Sequence, residues 1–155
     1  MALPADAPAG NGGPLHLLKM AVGVSSLDEL RQARAARIEQ HGGSWVYTRN
    51  HPRRTDVVLA GGSLFWVIRG QIRVRQRITG FRSERDEKGR AYCLIEVEPV
   101  LVPTLLRAWR PFQGWRYLTP ADAPPDAPHH YIASELAEAP MPEQMLAELR
   151  SLGLL

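Results

Sequence analysis

Ile68-Arg69-Gly70-Gln71-Ile72-Arg73-Val74-Arg75-Gln76-Arg77-Ile78-Thr79 is the stretch on which the fold turns. Read as an extended chain, it places Ile68, Gly70, Ile72, Val74, Gln76 and Ile78 on one side and Arg69, Gln71, Arg73, Arg75, Arg77 and Thr79 on the other. Side chains in a strand repeat every second residue, so the pattern predicts aliphatic groups facing inward and a row of guanidinium groups facing outward. Same-face neighbours stand about 6.6–6.8 Å apart, near the spacing of successive phosphates along a nucleic-acid strand. Gly70 marks a bend, so 63–81 reads as one long strand or a hairpin pair. Two outcomes stay open for the arginines: ion pairs with Glu96 and Glu98 on the returning strand, or contact with an anionic ligand.

Outward from this stretch the elements alternate irregularly. Residues 15–22 read as a strand ended by Gly23. Ser26-Leu27-Asp28-Glu29 is a capping box, and the helix it opens runs to about His41, where Gly42 and Gly43 stop it. Its inward stripe would be Leu27, Leu30, Ala33 or Arg34, and Ile38. Residues 44–49 read as a strand, 53–60 as a short helix, and 92–102 as a strand returning after the Lys88-Gly89 turn. Residues 119–130 hold four prolines and read as an extended surface connection, and 142–152 as a closing helix. This order lacks the regular strand–helix alternation of a parallel sheet. It predicts an α+β fold: a mainly antiparallel, curved sheet or small barrel with two or three flanking helices. Residues 1–14 read as a disordered arm and 15–155 as one domain.

Charge is unevenly spread. Residues 49–116 carry fourteen basic and six acidic side chains, a net of +8, and residues 117–155 a net of −5, against +3 for the whole chain. Thirteen of the seventeen arginines lie in that central part, which favours an anionic partner such as RNA or another polyanion. Aromatic residues are interleaved with it. The candidate nucleic-acid surface is therefore Arg69, Arg73, Arg75 and Arg77 for phosphate, with Trp66, Trp115, Arg110 and Arg116 as a stacking pocket. For Trp66, between Leu64 and Ile68, a place in the core competes with that role.

Other chemistry has little support. The five histidines have no zinc-type spacing, no glycine-rich phosphate loop precedes a helix, and no serine sits in a nucleophile elbow, so neither metal nor cofactor is implied. Catalysis is left open, as is oligomeric state. No apolar run reaches the roughly 18 residues of a membrane span, and 1–14 lacks the features of a secretory signal. Together with the lone Cys93, this leads to the expectation of a cytoplasmic protein.

Three blocks carry a resemblance. They are Gly61-Gly62-Ser63-Leu64-Phe65-Trp66-Val67-Ile68-Arg69-Gly70, then Arg75-Gln76-Arg77-Ile78, then Arg110-Pro111-Phe112-Gln113-Gly114-Trp115-Arg116-Tyr117-Leu118. They resemble a bacterial family of uncharacterised proteins, the domain of unknown function numbered 1489, and the likeness extends over nearly the whole chain. The family brings no activity and no catalytic residue. The element order also looks like that of small PUA-, ASCH- and EVE-type barrels. This likeness implies binding of RNA or a modified base, or an ASCH-like amidohydrolase using Lys19, Thr48 and Glu96 or Glu98 on a nucleoside-like substrate. A protein-interaction domain that docks an acidic partner on the basic face is the remaining alternative.

Overall fold

The computed structural model describes residues 13–128. The arm up to residue 12, His129-His130 and the expected helix at 142–152 lie outside the described residues. In chain order the elements are β1 (His16–Met20), α1 (Leu27–His41), β2 (Trp45–Thr48), α2 (Thr55–Leu59), β3 (Ser63–Ile68), β4 (Gln71–Arg85), β5 (Ala91–Val97), β6 (Val102–Ala108) and β7 (Trp115–Leu118). The fold is α+β. Seven strands form one sheet in the order β2-β5-β4-β3-β1-β7, with β6 also on β4. Every pair is antiparallel except β1 with β3, and β2 and β7 stay at opposite ends, so the sheet curves without closing into a barrel.

The first helix follows its sequence closely. Ser26 Oγ accepts from the Glu29 backbone N–H at 3.1 Å, and the Glu29 carboxylate reaches back to the Ser25 N–H at 2.7 Å, so two otherwise orphaned donors are satisfied. At the other end Gly42 takes φ 74° and its N–H bonds the Ile38 carbonyl. Leu27, Leu30 and Arg34 are buried on the sheet side, while Ala33 is exposed. Each of the two leucines contributes roughly 1.5–3 kcal/mol by leaving water.

The fifteen-residue strand β4 organises everything else. It follows β3 through a two-residue turn in which Arg69 (φ 52°) and Gly70 (φ 79°) are both left-handed, the geometry of a type I′ hairpin whose twist matches its strands. On one edge β4 pairs with β3. On the other, β5 covers Ile78 to Arg85 and β6 covers Gln71 to Arg75, so β5 and β6 run as one interrupted strand. The interruption falls at 98–101, where Pro99 has no N–H to give the ladder; the Glu98 N–H still bonds the Arg77 carbonyl. The expected single strand at 92–102 is therefore two shorter ones. The charged stretch after Phe81 continues β4 to Arg85 before Asp86 closes the turn by accepting from the Lys88 and Arg90 N–H groups at 2.9 Å.

The expected two-faced strand is corrected by one residue. Val67 stands opposite Ile72, but Trp66 stands opposite Val74, leaving Arg73 as an extra residue in β4. Such a bulge reverses the parity of all that follows. Ile68 and Val74 join the core beneath the helices with Leu17, Leu64, Trp66, Ile78 and Ile95, whereas Ile72 goes to the opposite face with Leu18, Phe65, Val67 and Leu118. Both faces of the sheet are thus apolar: α1 and α2 cover one, and residues 109–112 with Ala123 cover the other. The continuous arginine row does not form. Arg69 sits in the turn and Gln71 shares the helix face with Ile68. Arg73 is buried at the bulge, and only Arg75 and Arg77 remain side by side.

Candidate functional site

Arg75 and Arg77 leave β4 on the face away from the helices, opposite Phe65 and Ser63 of β3. Together with His16 at the start of β1 they line a groove of about 380 Å³, whose far wall is Pro120, Ala123, Pro124 and Asp126. Arg75, Asp126, Ser63 and His16 are held by one another, and Arg77 is exposed beside them. Arg75 grips Asp126 with two nitrogens, Nε to Oδ1 at 2.8 Å and Nη2 to Oδ2 at 2.9 Å, and gives its Nη1 to Ser63 Oγ at 3.0 Å. A guanidinium fork matched to a carboxylate in this way is both directional and charge-assisted. It keeps Arg75 firmly protonated, chiefly through the Asp126 hydrogen bond.

His16 is set by its backbone partner. The Ser63 N–H donates to Nδ1 at 3.0 Å, which puts the proton of a neutral ring on Nε2. Burial, and then the nearby positive charge of Arg75, push the imidazole pKa down to about 4. The ring also meets Phe65 edge-on, with centroids 4.9 Å apart. At neutral pH the groove therefore presents a neutral imidazole, two guanidinium groups and one carboxylate.

The residues expected to form a stacking pocket are not brought to this groove. Trp66 is only 5% exposed and lies beneath α1, where its Nε1–H donates to Gln76 Oε1 at 3.0 Å and Arg34 stands over its ring at 5.9 Å. Gln76 in turn donates to the Glu98 carbonyl at 2.8 Å, so the indole is a satisfied core group with no face open to a base. Trp115 pairs with Lys19 and packs against the same core, on the opposite side of the sheet from Arg75 and Arg77. It and Tyr117 secure the loop before α2: Trp115 Nε1–H donates to the Asn50 carbonyl, and the Tyr117 hydroxyl accepts from the Arg53 and Arg54 N–H groups. Arg116 does face the groove side, but it covers Phe112 at 5.0 Å and bonds nearby carbonyls. Arg110 is exposed in the loop after β6, and Arg107 pairs with Asp122 at 3.3 Å over Trp109.

The carboxylates that meet the basic residues are partly unexpected ones. Glu96 pairs with Arg82 at 3.7 Å, not with Arg73, Arg75 or Arg77. Asp122 and Asp126, from the acidic end of the chain, take Arg107 and Arg75 instead. Lys19 and Thr48 are separated in the sheet by β3, β4 and β5, and neither lines the 530 Å³ cavity that contains Glu96 and Glu98. No cluster of three metal-ligating side chains occurs among the described residues, and no helix there is long and apolar enough to cross a membrane. Sequence reasoning missed His16, Ser63 and Asp126. The one available signal was Ser63 directly after Gly61-Gly62, a close-packed entry to a buried strand.

No curated protein and no solved structure matches the chain. The family model described as "Protein of unknown function (DUF1489)" matches residues 17–155, which include β1 from Leu17 onward, the Arg75–Arg77 pair and the 119–126 wall of the groove, with His16 just outside the match. With nearly its whole length matched, this chain belongs to the DUF1489 family of proteins of unknown function.

Proposed function

We propose that this protein is a nucleic-acid-binding module, for RNA or a modified base, and that it holds a phosphate of its ligand in the groove between β1, β3 and β4. The observation that carries the reading is the placement of Arg75 and Arg77 two residues apart on one face of β4, beside His16. Guanidinium groups are the side chains best matched to phosphate, and a neutral imidazole adds a donor without a charge to desolvate. A volume of about 380 Å³ falls within the range of small-ligand sites and suits a single nucleotide. The +8 charge of residues 49–116 supplies the longer-range attraction. A cytoplasmic location goes with this reading, since Cys93 is a free, buried thiol.

Single-stranded RNA titrated at low and moderate salt provides the test. Affinity is expected to fall with salt, and Arg77→Ala is expected to weaken binding by roughly threefold to tenfold and to lower the salt slope by about one phosphate contact. Arg77 is exposed, so its removal leaves the fold intact. Absence of binding at low salt, or an Arg77→Ala variant with unchanged affinity and slope, would refute the proposal.

A further inference from the structure

We infer that the groove selects a terminal phosphate monoester over an internal phosphodiester, and that Asp126 is the residue that imposes this choice. The inference rests on the reading above that the groove takes a phosphate. Its starting point is that the Arg75 fork is already filled. Two of the three guanidinium nitrogens hold the Asp126 carboxylate and the third holds Ser63 Oγ. An anion that takes the bidentate Nε–Nη2 edge of Arg75 must take the place of a resident carboxylate.

That carboxylate is anchored through its backbone. The Pro125 carbonyl accepts from the Leu105 N–H and the Ala127 N–H donates to the Pro103 carbonyl, both at 2.9 Å, while Asp126 itself bridges Thr104. Ala127 is buried directly beside it. The segment therefore stays in place and only the Asp126 side chain, half exposed to water, has room to swing aside. A tethered group has a high effective concentration at its site, and an incoming anion must exceed it in charge or in the number of bonds it makes.

An internal phosphodiester carries the same single charge as the carboxylate, so exchanging one for the other gains nothing at Arg75. A phosphate monoester carries about −1.5 to −2 at neutral pH and three acceptor oxygens. It can accept from Arg75, from Arg77 and from the Nε2–H of His16 at once. The ligand class is then the phosphate monoester, borne either by the end of an RNA strand or by a free nucleotide.

The full chain is titrated with two single-stranded RNA oligonucleotides of one sequence, one bearing a 5′-phosphate and the other a 5′-hydroxyl. A 3′-phosphorylated oligonucleotide and a free nucleoside monophosphate form two further arms. A phosphorylated end is expected to bind on the order of tenfold more tightly than the hydroxyl end, about the effect of one added charge-assisted hydrogen bond. In Asp126→Asn the hydroxyl-ended RNA should gain, narrowing the preference to roughly threefold or less. Tight competition by the nucleoside monophosphate would identify the free nucleotide as the source, and weak competition the RNA end. Equal affinity of the wild type for phosphorylated and unphosphorylated RNA, or an undiminished preference in Asp126→Asn, overturns the inference. If Arg77→Ala still weakens both oligonucleotides, the broader reading survives that result; binding of none of the probes removes both.

Discussion

Gly62→Ala is expected to cost about 3 kcal/mol or more of folding stability, enough to unfold much of the population at moderate temperature. Gly62 sits where α2 ends and β3 begins, with its N–H on the Val58 carbonyl and its own carbonyl accepting from the Ile78 N–H at 3.1 Å. A Cβ there would run into the backbone carbonyl of Leu15 and come within 2.6 Å of that of Val58. Neither oxygen can rotate away. Leu15 leads into β1 and Val58 is fully buried, so relief would mean moving β1, α2 or the start of β3, and with them His16 and Ser63. Gly80 provides the control. A Cβ at that position meets only the end of the Glu96 side chain, which can yield, so Gly80→Ala should cost about 1 kcal/mol or less. Denaturant unfolding of the two variants checks the contrast, and equal midpoints for both would contradict the packing described for Gly62.

Acid should weaken the fold through His16. Its folded-state pKa of about 4 lies below the ordinary value of 6.5, because burial and Arg75 disfavour the imidazolium. The unfolded chain therefore binds the proton first. Stability contributed by the neutral ring is fully present above pH 6.5, declines as the pH falls from there, and is gone below about pH 4. Linkage over that interval amounts to about 3 kcal/mol, which partial exposure of the ring reduces to about 2. In His16→Gln the amide oxygen can still accept from the Ser63 N–H, and no titration remains. Unfolding free energies of the two proteins measured from pH 7 to 4 should converge by about 2 kcal/mol as the pH falls. Parallel curves would show that His16 does not titrate as its surroundings require.

Local chemistry was readable in the sequence wherever a short segment decides the outcome. Ser26 with Glu29, and Gly42 after His41, mark α1 because capping involves only neighbours in the chain. Residues 63–81 read as a strand or a hairpin pair bent at Gly70, and the hairpin turns at Arg69-Gly70, because a glycine between two extended runs is a local signal. The bulge at Arg73 was not readable, because the Ile-Arg-Val-Arg alternation continues straight through it. Only the register against Trp66 and Val67 on the neighbouring strand singles Arg73 out. Strand β6 was hidden by Pro103, whose missing N–H usually excludes a ladder position.

The site was legible only in part, for the same reason. Arg75 and Arg77 could be named, since strand parity holds between them. Their partners could not: Ser63, His16 and Asp126 come from three separate stretches, with Asp126 lying 51 residues beyond Arg75. The interleaving of tryptophan and arginine along the chain carried no information about which side of a sheet each would take. Trp66 and Trp115 went to the helix face and the Arg75–Arg77 pair to the other, so proximity in sequence became separation in space. The charge asymmetry also has a structural counterpart, for Asp122 and Asp126 from the acidic end neutralise Arg107 and Arg75 from the basic centre.

On the proposed function, the groove beside Arg75 and Arg77, on the face opposite Trp66 and Trp115, receives the ligand. Backbone and side-chain NMR signals followed during titration with 5′-phosphorylated single-stranded RNA address it directly. Shifts centred on His16, Ser63, Arg77 and Asp126, with the Trp115 indole N–H unmoved, are the expected result. Shifts centred on Trp115 and the loop at Asn50, with the groove signals unchanged, would place the ligand on the wrong side of the sheet and contradict it.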